Sequence, residues 1–539
     1  MKVPTDNLVP DAVPAAGALT RHPFSFLAGL VALWFLGLGI YRLYFHPLAK
    51  FPGPKLAGLT YWYETYHDLY RRGKYTETLL DLHDTYGPIV RINPEELHVR
   101  DPKFIDTLYS WNSKRGITAW FTGPFDFEGT HFGSLNHDLH RTRRAPLSRL
   151  FSKPMVIKLE PLIKQNMMKL CNNVEGFAGT GKPLKLVDAI SCFATDVITE
   201  YCFGRSYGFL NDPSMEKSLY TAIHGGMDAV IAFRHFPLYK KLFYSIPTSI
   251  MNRMDPDLEI WRAFRVDIRS HVRKLKQEIT TGAFKASEAT RATVFTEILN
   301  SNMPESEKDT ERLSREAQAM VQAGIETVSW SLTTNLVYLL SSPHALARLR
   351  AELHSAIPAD DPSTLPPWTT LEQLPYLSAC VREGLRLGYG VVTRLARMPE
   401  TEALAYRDEK RDKTWIIPPG TPVGMSAYHV HHDESVFPRS REYWPERWLE
   451  GEGGGKNRGL EGMLLSFSKG SRQCVGMNLA YAELYIGLAT WVRFFGDRLE
   501  LFECGVEDVQ YHHDAFLPAV SPESKGVKVL VKPKTTEVS

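Results

Sequence analysis

The chain has 539 residues, 43% of them apolar and 23% charged, the balance of an ordinary globular protein able to bury a large core. Lys plus Arg number 63 and Asp plus Glu 61, a net charge of +2 that removes the electrostatic case for a nucleic-acid partner. Six cysteines without a C-x-x-C pair are too sparse for a disulfide framework and point to a reducing compartment.

In chain order, the first element is PFSFLAGLVALWFLGLGIY, Pro23 to Tyr41, 19 residues without a charge. At about 1.5 Å per residue it spans roughly 28 Å, so a transmembrane anchor is expected over residues 23–45. It is longer than the apolar part of a signal peptide and lacks a small-residue cleavage site. Arg42, Lys50, Lys55, Arg71 and Arg72 follow it. The positive-inside rule therefore expects residues 1–22 as a short lumenal tail and the body in the cytoplasm. Residues 46–57 carry Pro47, Pro52 and Pro54 and form a stiff hinge. Residues 58–539 are then one body. PIVRINPEELHVRDP, Pro88 to Pro102, reads as two short strands around an Asn-Pro turn. From about Asn136 to Ile279 the pattern is helical, with breaks near 204–213 and 246–256. No repeat and no second boundary is visible. The fold class is mainly α with minor β sheets, a single large domain.

SREAQAMVQAGIETVSWSLTTNLVYLLSS, Ser314 to Ser342, is apolar on most faces and reads as a helix buried through the middle of the body. Gly324 inside it costs about 1 kcal/mol relative to alanine. Glu326 and Thr327 on a buried helix also need a reason, with helix–helix packing at Gly324 as the plain alternative. Further on, Glu383 and Arg386 stand at i and i+3 on a helix beginning near Leu377 and share a face. His429, His431, His432 and Asp433 suggest a metal cluster, yet no further ligand pattern accompanies them, nor His512 and His513. GEGGG, Gly451 to Gly455, reads as a surface loop.

FSKGSRQCVG, Phe467 to Gly476, ends just before the helical run NLAYAELYIGLATWVRFF. Arg472 and the helix start should depress the thiol pKa of Cys474. Gly470 and Gly476 allow the backbone close to something flat. These are the conditions for a soft metal ligand or for a nucleophile, and no partner base is evident nearby.

The loop has the form F-x-x-G-x-R-x-C-x-G. Upstream, in order, stand Ala323-Gly-Ile-Glu-Thr327, the E-x-x-R pair and PERW, Pro445 to Trp448. This set resembles the cytochrome P-450 family over nearly the whole chain. YRLYFHPLAKFPGPKLAG and WIIPPGTPVGMS are similar to its microsomal members in filamentous fungi, of the trichodiene oxygenase kind, which serve secondary-metabolite pathways.

The resemblance implies a heme b (iron protoporphyrin IX) cofactor with Cys474 as axial iron ligand and Phe467, Gly470 and Gly476 shaping its loop. It implies a buried network of Glu383, Arg386 and Arg447. Gly324 would leave room for dioxygen and Thr327 with Glu326 would relay protons, although Val328 stands where the family often has a second Thr or Ser. His140, Arg144, Arg397 and Arg472 would meet the heme carboxylates. Phe125, Ala323, Val391, Val392, Thr393 and Phe516 would face the substrate. The histidines near 429–432 would form a structural turn. With no G-x-G-x-x-G after a strand, electrons are expected from a separate NADPH-cytochrome P-450 reductase, with cytochrome b5 as a second donor, docking near Lys469. The expected enzyme is an endoplasmic-reticulum monooxygenase that hydroxylates or epoxidises an apolar terpenoid, polyketide or alkaloid-like intermediate. A desaturase, ring-forming or isomerising enzyme of the same fold, or a heme sensor, are the alternatives.

Overall fold

A computed structural model of the chain describes residues 23–224, 226–247, 250, 257–281, 293–450, 455–456 and 458–534. The expected lumenal tail, most of 246–256 and most of GEGGG lie outside these residues. Helix α1, Pro23–Ile40, runs on into a wider π-type turn, Tyr41–Phe45. Phe24–Phe45 has a mean hydropathy of 2.0 and none of it is buried, so it is long and apolar enough to cross a membrane. Its end is tied to the body: Arg42 donates to the Leu59 carbonyl at 2.9 Å, and Arg91 donates to the Arg42 carbonyl at 2.8 Å.

In the body, α2 (Tyr75–Tyr86) leads into β1 (Ile89–Arg91) and β2 (Leu97–Val99), antiparallel around the expected Asn-Pro turn, with Ile89 opposite Val99. Helix α3 (His137–Leu150) starts where the Asn136 side chain accepts from the backbone N–H groups of Asp138 and Leu139. It is followed by α4 (Lys153–Glu175), α5 (Leu186–Phe203), α6 (Leu219–His224), α7 (Met227–His235), α8 (Pro237–Ser245) and α9 (Asp257–Thr280). The glycine-rich break after α5 is a left-handed cap at Gly204, φ +71°.

The central element is α10, Thr310–Leu340, 31 residues capped by Asp309, a few residues earlier than the sequence suggests. It packs against α5, α9, α11 (Pro375–Gly388) and α12 (Met477–Thr490). Between Ser314 and Leu339 it is buried except at Arg315, Gln322, Ala323, Gly324 and Thr327. An exposed alanine in the middle of a buried helix marks a cavity. Small pieces of sheet complete the fold. The hairpin of β3 (Leu404–Asp408) and β4 (Lys413–Ile417) flanks β5 (Val423–Gly424), which pairs parallel with β2. The hairpin of β6 (His513–Ala515) and β7 (Leu517–Ala519) turns on Phe516 alone.

Candidate active site

The segment before α12 folds into a tight loop because its backbone bonds close on themselves. Cys474 N–H donates to the Phe467 carbonyl and Gln473 N–H to that of Gly470, both at 2.9 Å. Ser468 and Gly470 take positive φ, +55° and +72°. The Cys474 sulfur is thereby aimed into an internal cavity of about 300 Å³, and its accessible surface faces that cavity rather than bulk water. Burial holds the thiol above its ordinary pKa, against the lowering effect of the Gly476 N–H and of Arg144. This corrects the expectation of a depressed thiol beside Arg472, because the cation acting on the sulfur is Arg144 on α3. The two glycines also part ways. A side chain at Gly476 would meet nothing nearer than the Cys474 sulfur at 4.0 Å, so its face is open. At Gly470 a Cβ would sit 2.3 Å from the Tyr109 carbonyl, so that glycine serves a backbone crossing and not the cavity.

At one end of the cavity the lining is cationic. Arg397 donates to the Ala396 carbonyl at 3.1 Å and to Ser468 Oγ at 2.9 Å, and lies over the Tyr109 ring. Arg144 donates to the Gln473 carbonyl. Arg472 gives hydrogen bonds to the carbonyls of Arg115, Ser134, Leu135 and Asn136, at 2.7 to 3.3 Å. No acidic side chain lies within ion-pairing distance of these guanidiniums among the described residues. His140 is 3% exposed and makes no side-chain hydrogen bond among them. Burial pushes all four pKa values down, Arg472 to about 9 and His140 to about 2. Guanidiniums drawn out of water without counter-charge are costly unless an anion joins them. A flat ligand carrying two carboxylates and a metal for the sulfur fits this donor set.

Another wall is α10. Ala323 faces the cavity, and Thr327 Oγ1 donates back to its carbonyl at 2.8 Å. Glu326 is 2% exposed, with a carboxylate oxygen 3.5 Å from His224 Nδ1 on α6. Burial raises its pKa, only partly offset by His224. A Cβ on Gly324 would lie 3.0 Å from Ile198 Cγ1 of α5, so the missing side chain serves helix packing, while the residue also lines the cavity. Phe121, Phe125, Phe127, Phe132 and Phe516 form an aromatic collar, the closest pair being Phe125 and Phe516 at 4.6 Å between ring centres. Phe516 takes φ +79°, a strained conformation for an aromatic residue. Its carbonyl accepts from Val392 N–H at 3.0 Å. Val391 lines the cavity as expected, but Val392 and Thr393 do not. Val392 packs among Tyr389 and Tyr428, and Thr393 donates to Asp514 while accepting from Arg234.

Below the sulfur loop the expected charge network is in place. Glu383 accepts from Arg386 at 2.8 and 2.9 Å, from Arg447 Nε at 3.1 Å, from Trp448 Nε1 at 2.8 Å and from the Trp444 N–H at 2.9 Å. The same helix holds the loop through Ser466, which donates to the Leu385 carbonyl. The neighbouring histidines are structural. His431 Nδ1 donates to the Arg386 carbonyl while Nε2 accepts from Leu465 N–H, and His429 Nε2 donates to the Thr76 carbonyl. Lys469 is engaged with Asp106 and the Gly462 carbonyl. Two groups escape sequence reasoning. Arg394 is buried between Glu64 and Glu96, and His131 on the cavity wall is paired with Glu316.

A sulfur aimed into an internal cavity, with guanidiniums unpaired among the described residues at one end and a helix bearing a hydroxyl and a buried acid on another wall, suits a metal cofactor held by a thiolate. The sequence profile described as Cytochrome P-450 matches residues 54–503, and the chain belongs to the cytochrome P-450 family. The chain is similar to the cytochrome P-450 monooxygenase tpcC of Cochliobolus heterostrophus, 40% identical over 94% of this chain and 96% of that protein. It is 41% identical to the monooxygenase sdnE of Sordaria araneosa over 94% and 97% of the two chains. Similarity to the tryptophan 6-hydroxylase fscE of Fusarium equiseti reaches 38% over 94% and 98%. The protein is a monooxygenase of this family, which uses heme, binds small-molecule substrates and draws electrons from a redox partner.

Proposed function

We propose that the chain is a heme-thiolate monooxygenase that hydroxylates or epoxidises an apolar intermediate of fungal secondary metabolism. We assign its electrons to a separate NADPH-dependent reductase. The observation that carries this is one cavity with the Cys474 sulfur on one wall, Ala323 and Thr327 on another, and a collar of five phenylalanines closing the rest. Bound heme supplies dioxygen activation, with electron donation from a cysteine thiolate favouring O–O cleavage. Cys474 would hold the iron, while Arg144, Arg397 and His140 would hold the carboxylates by charge-assisted hydrogen bonds. Arg472 would add its charge while its donors bind the loop carbonyls. Burial disfavours the ionised form of Glu326, and the Thr327 hydroxyl would pass a proton towards the cavity. The collar, together with Ala323, Val391 and Phe516, binds the substrate by apolar contact and excludes water.

The unburied helix at the N-terminus supports a single-pass endoplasmic-reticulum anchor over 23–45, a hinge over 46–57 and a cytoplasmic catalytic body from residue 58. The reduced carbon-monoxide difference spectrum tests the site. The wild-type protein is expected to give the thiolate-type Soret band and Cys474→Ala to lose it; a variant that keeps the band overturns the assignment. Labelled dioxygen then decides the reaction, since absence of the label from the product of a purified, reconstituted enzyme would replace the monooxygenase reading by desaturation or isomerisation.

A further inference from the structure

Glu316 lies on α10 eight residues before Gly324, roughly 12 Å along the helix. Its carboxylate is 1% exposed. It accepts from the backbone N–H of His131 at 3.0 Å, from His131 Nδ1 and from Arg312 Nη1 at 2.9 Å. Although burial raises its pKa, the charges of His131 and Arg312 and the bonds from His131 outweigh that, and the group is held below the ordinary carboxylate range. Burying an ionised carboxylate is an expensive way to hold a loop, and apolar contacts would do so at lower cost. What the arrangement adds is orientation. A carboxylate on one ring nitrogen of a histidine fixes the ring and leaves the other nitrogen aimed.

The ring of His131 lines the cavity, and its centre is 6.4 Å from that of His140. It therefore belongs to the cationic end, with Arg144, Arg397 and Arg472, and its Nε2 makes no hydrogen bond among the described residues. We propose that His131, oriented by Glu316, is a further anchor for a carboxylate of the cofactor through Nε2. This rests on the reading of the cavity as a heme site. An oxygen of the substrate offers the same hydrogen-bonding chemistry; the cofactor is favoured because the His131 ring adjoins His140.

The test is the rate at which purified holoprotein loses heme to excess apomyoglobin, followed in the Soret region under conditions where circular dichroism shows each variant folded. His131→Asn keeps an N–H near the Nδ1 position for Glu316 and removes the distal nitrogen. His131→Gln reaches the distal position and abandons Glu316. Loss of a charge-assisted hydrogen bond predicts roughly ten-fold faster transfer for His131→Asn, with His131→Gln between it and wild type. In protein reconstituted with heme dimethyl ester the difference between wild type and His131→Asn should vanish.

Wild-type behaviour of His131→Asn beside fast loss from His131→Gln and Glu316→Gln would make His131 a loop pin only and overturn the proposal. A difference that persists with the esterified heme would assign Nε2 to another oxygen and overturn it too. A wild-type protein that binds no thiolate-ligated heme would overturn the site reading itself, which a negative result confined to His131 would leave standing.

Discussion

Thr327 and Glu326 are neighbours in sequence with opposite surroundings. The hydroxyl meets the cavity, whereas the carboxyl is buried beside His224. Thr327→Val keeps the shape and removes the proton. Product formed per electron consumed should fall on the order of a hundred-fold, with peroxide release rising and the substrate-induced spectral shift unchanged. Glu483, on α12, is a second buried acid, 2% exposed on the cavity wall. Burial lifts its pKa well above the ordinary value, and no cation among the described residues offsets that rise. Above the unfolded-state pKa, folding must take up a proton, so this group costs stability increasingly as pH rises towards the folded value. Glu483→Gln should match wild type near pH 4 and melt at a higher temperature at pH 8, which a calorimetric pH series would read. Cys474, Thr327 and Glu383 are legible in the sequence because short local spacings carry them. His131 and Arg394 are not, because their partners lie 185 and 298 to 330 residues away and no local pattern joins them.

At the scale of elements, α11 shows how one buried acid organises several segments. Glu383 satisfies two guanidiniums, an indole N–H and a backbone N–H, and Arg386 in turn caps the carbonyls of His431, Ser440 and Glu442. Glu383→Gln leaves these cations without charge compensation. It should cost about 3–5 kcal/mol in denaturant unfolding and yield protein with little bound heme. Elements of regular period are those that sequence anticipates best, as α10, α11 and the β1–β2 pair show. The stretch from Val391 to Thr393 is different. Residue type alone does not reveal that Val391 turns inward while its two neighbours are claimed by the Tyr389–Tyr428 cluster and by Asp514. Gly324 likewise carries no mark in the sequence of whether its bare face meets a ligand or Ile198.

Across the whole molecule, the anchor does not stand alone as an apolar surface. Leu59, just past the hinge, packs near Gly39, and around it Leu56, Trp62 and Tyr66 are each at least 50% exposed. The Trp62 ring lies 5.8 Å from that of Phe236, which leads into α8 with Leu238 and Leu242 also exposed, at 69% and 60%. A chain lacking residues 1–45 should therefore still sediment with phospholipid vesicles. Replacing Leu238 and Leu242 by aspartate in that truncated chain should weaken the association on the order of a hundred-fold or more, because each buried apolar side chain contributes roughly 1.5–3 kcal/mol and a charge at the interface opposes it.

Arg472 has a consequence for how the two halves of the site communicate. Its guanidinium is spent on the carbonyls of Arg115 and of residues 134–136, the latter in the segment that leads from the phenylalanine collar to α3. It stands two residues from Cys474 on a loop with little slack. The wall that meets a substrate and the strap that bears the sulfur are thus riveted to each other. A guest that displaces residues 134–136 strains the strap, and the Cys474 sulfur senses the shape of what has entered.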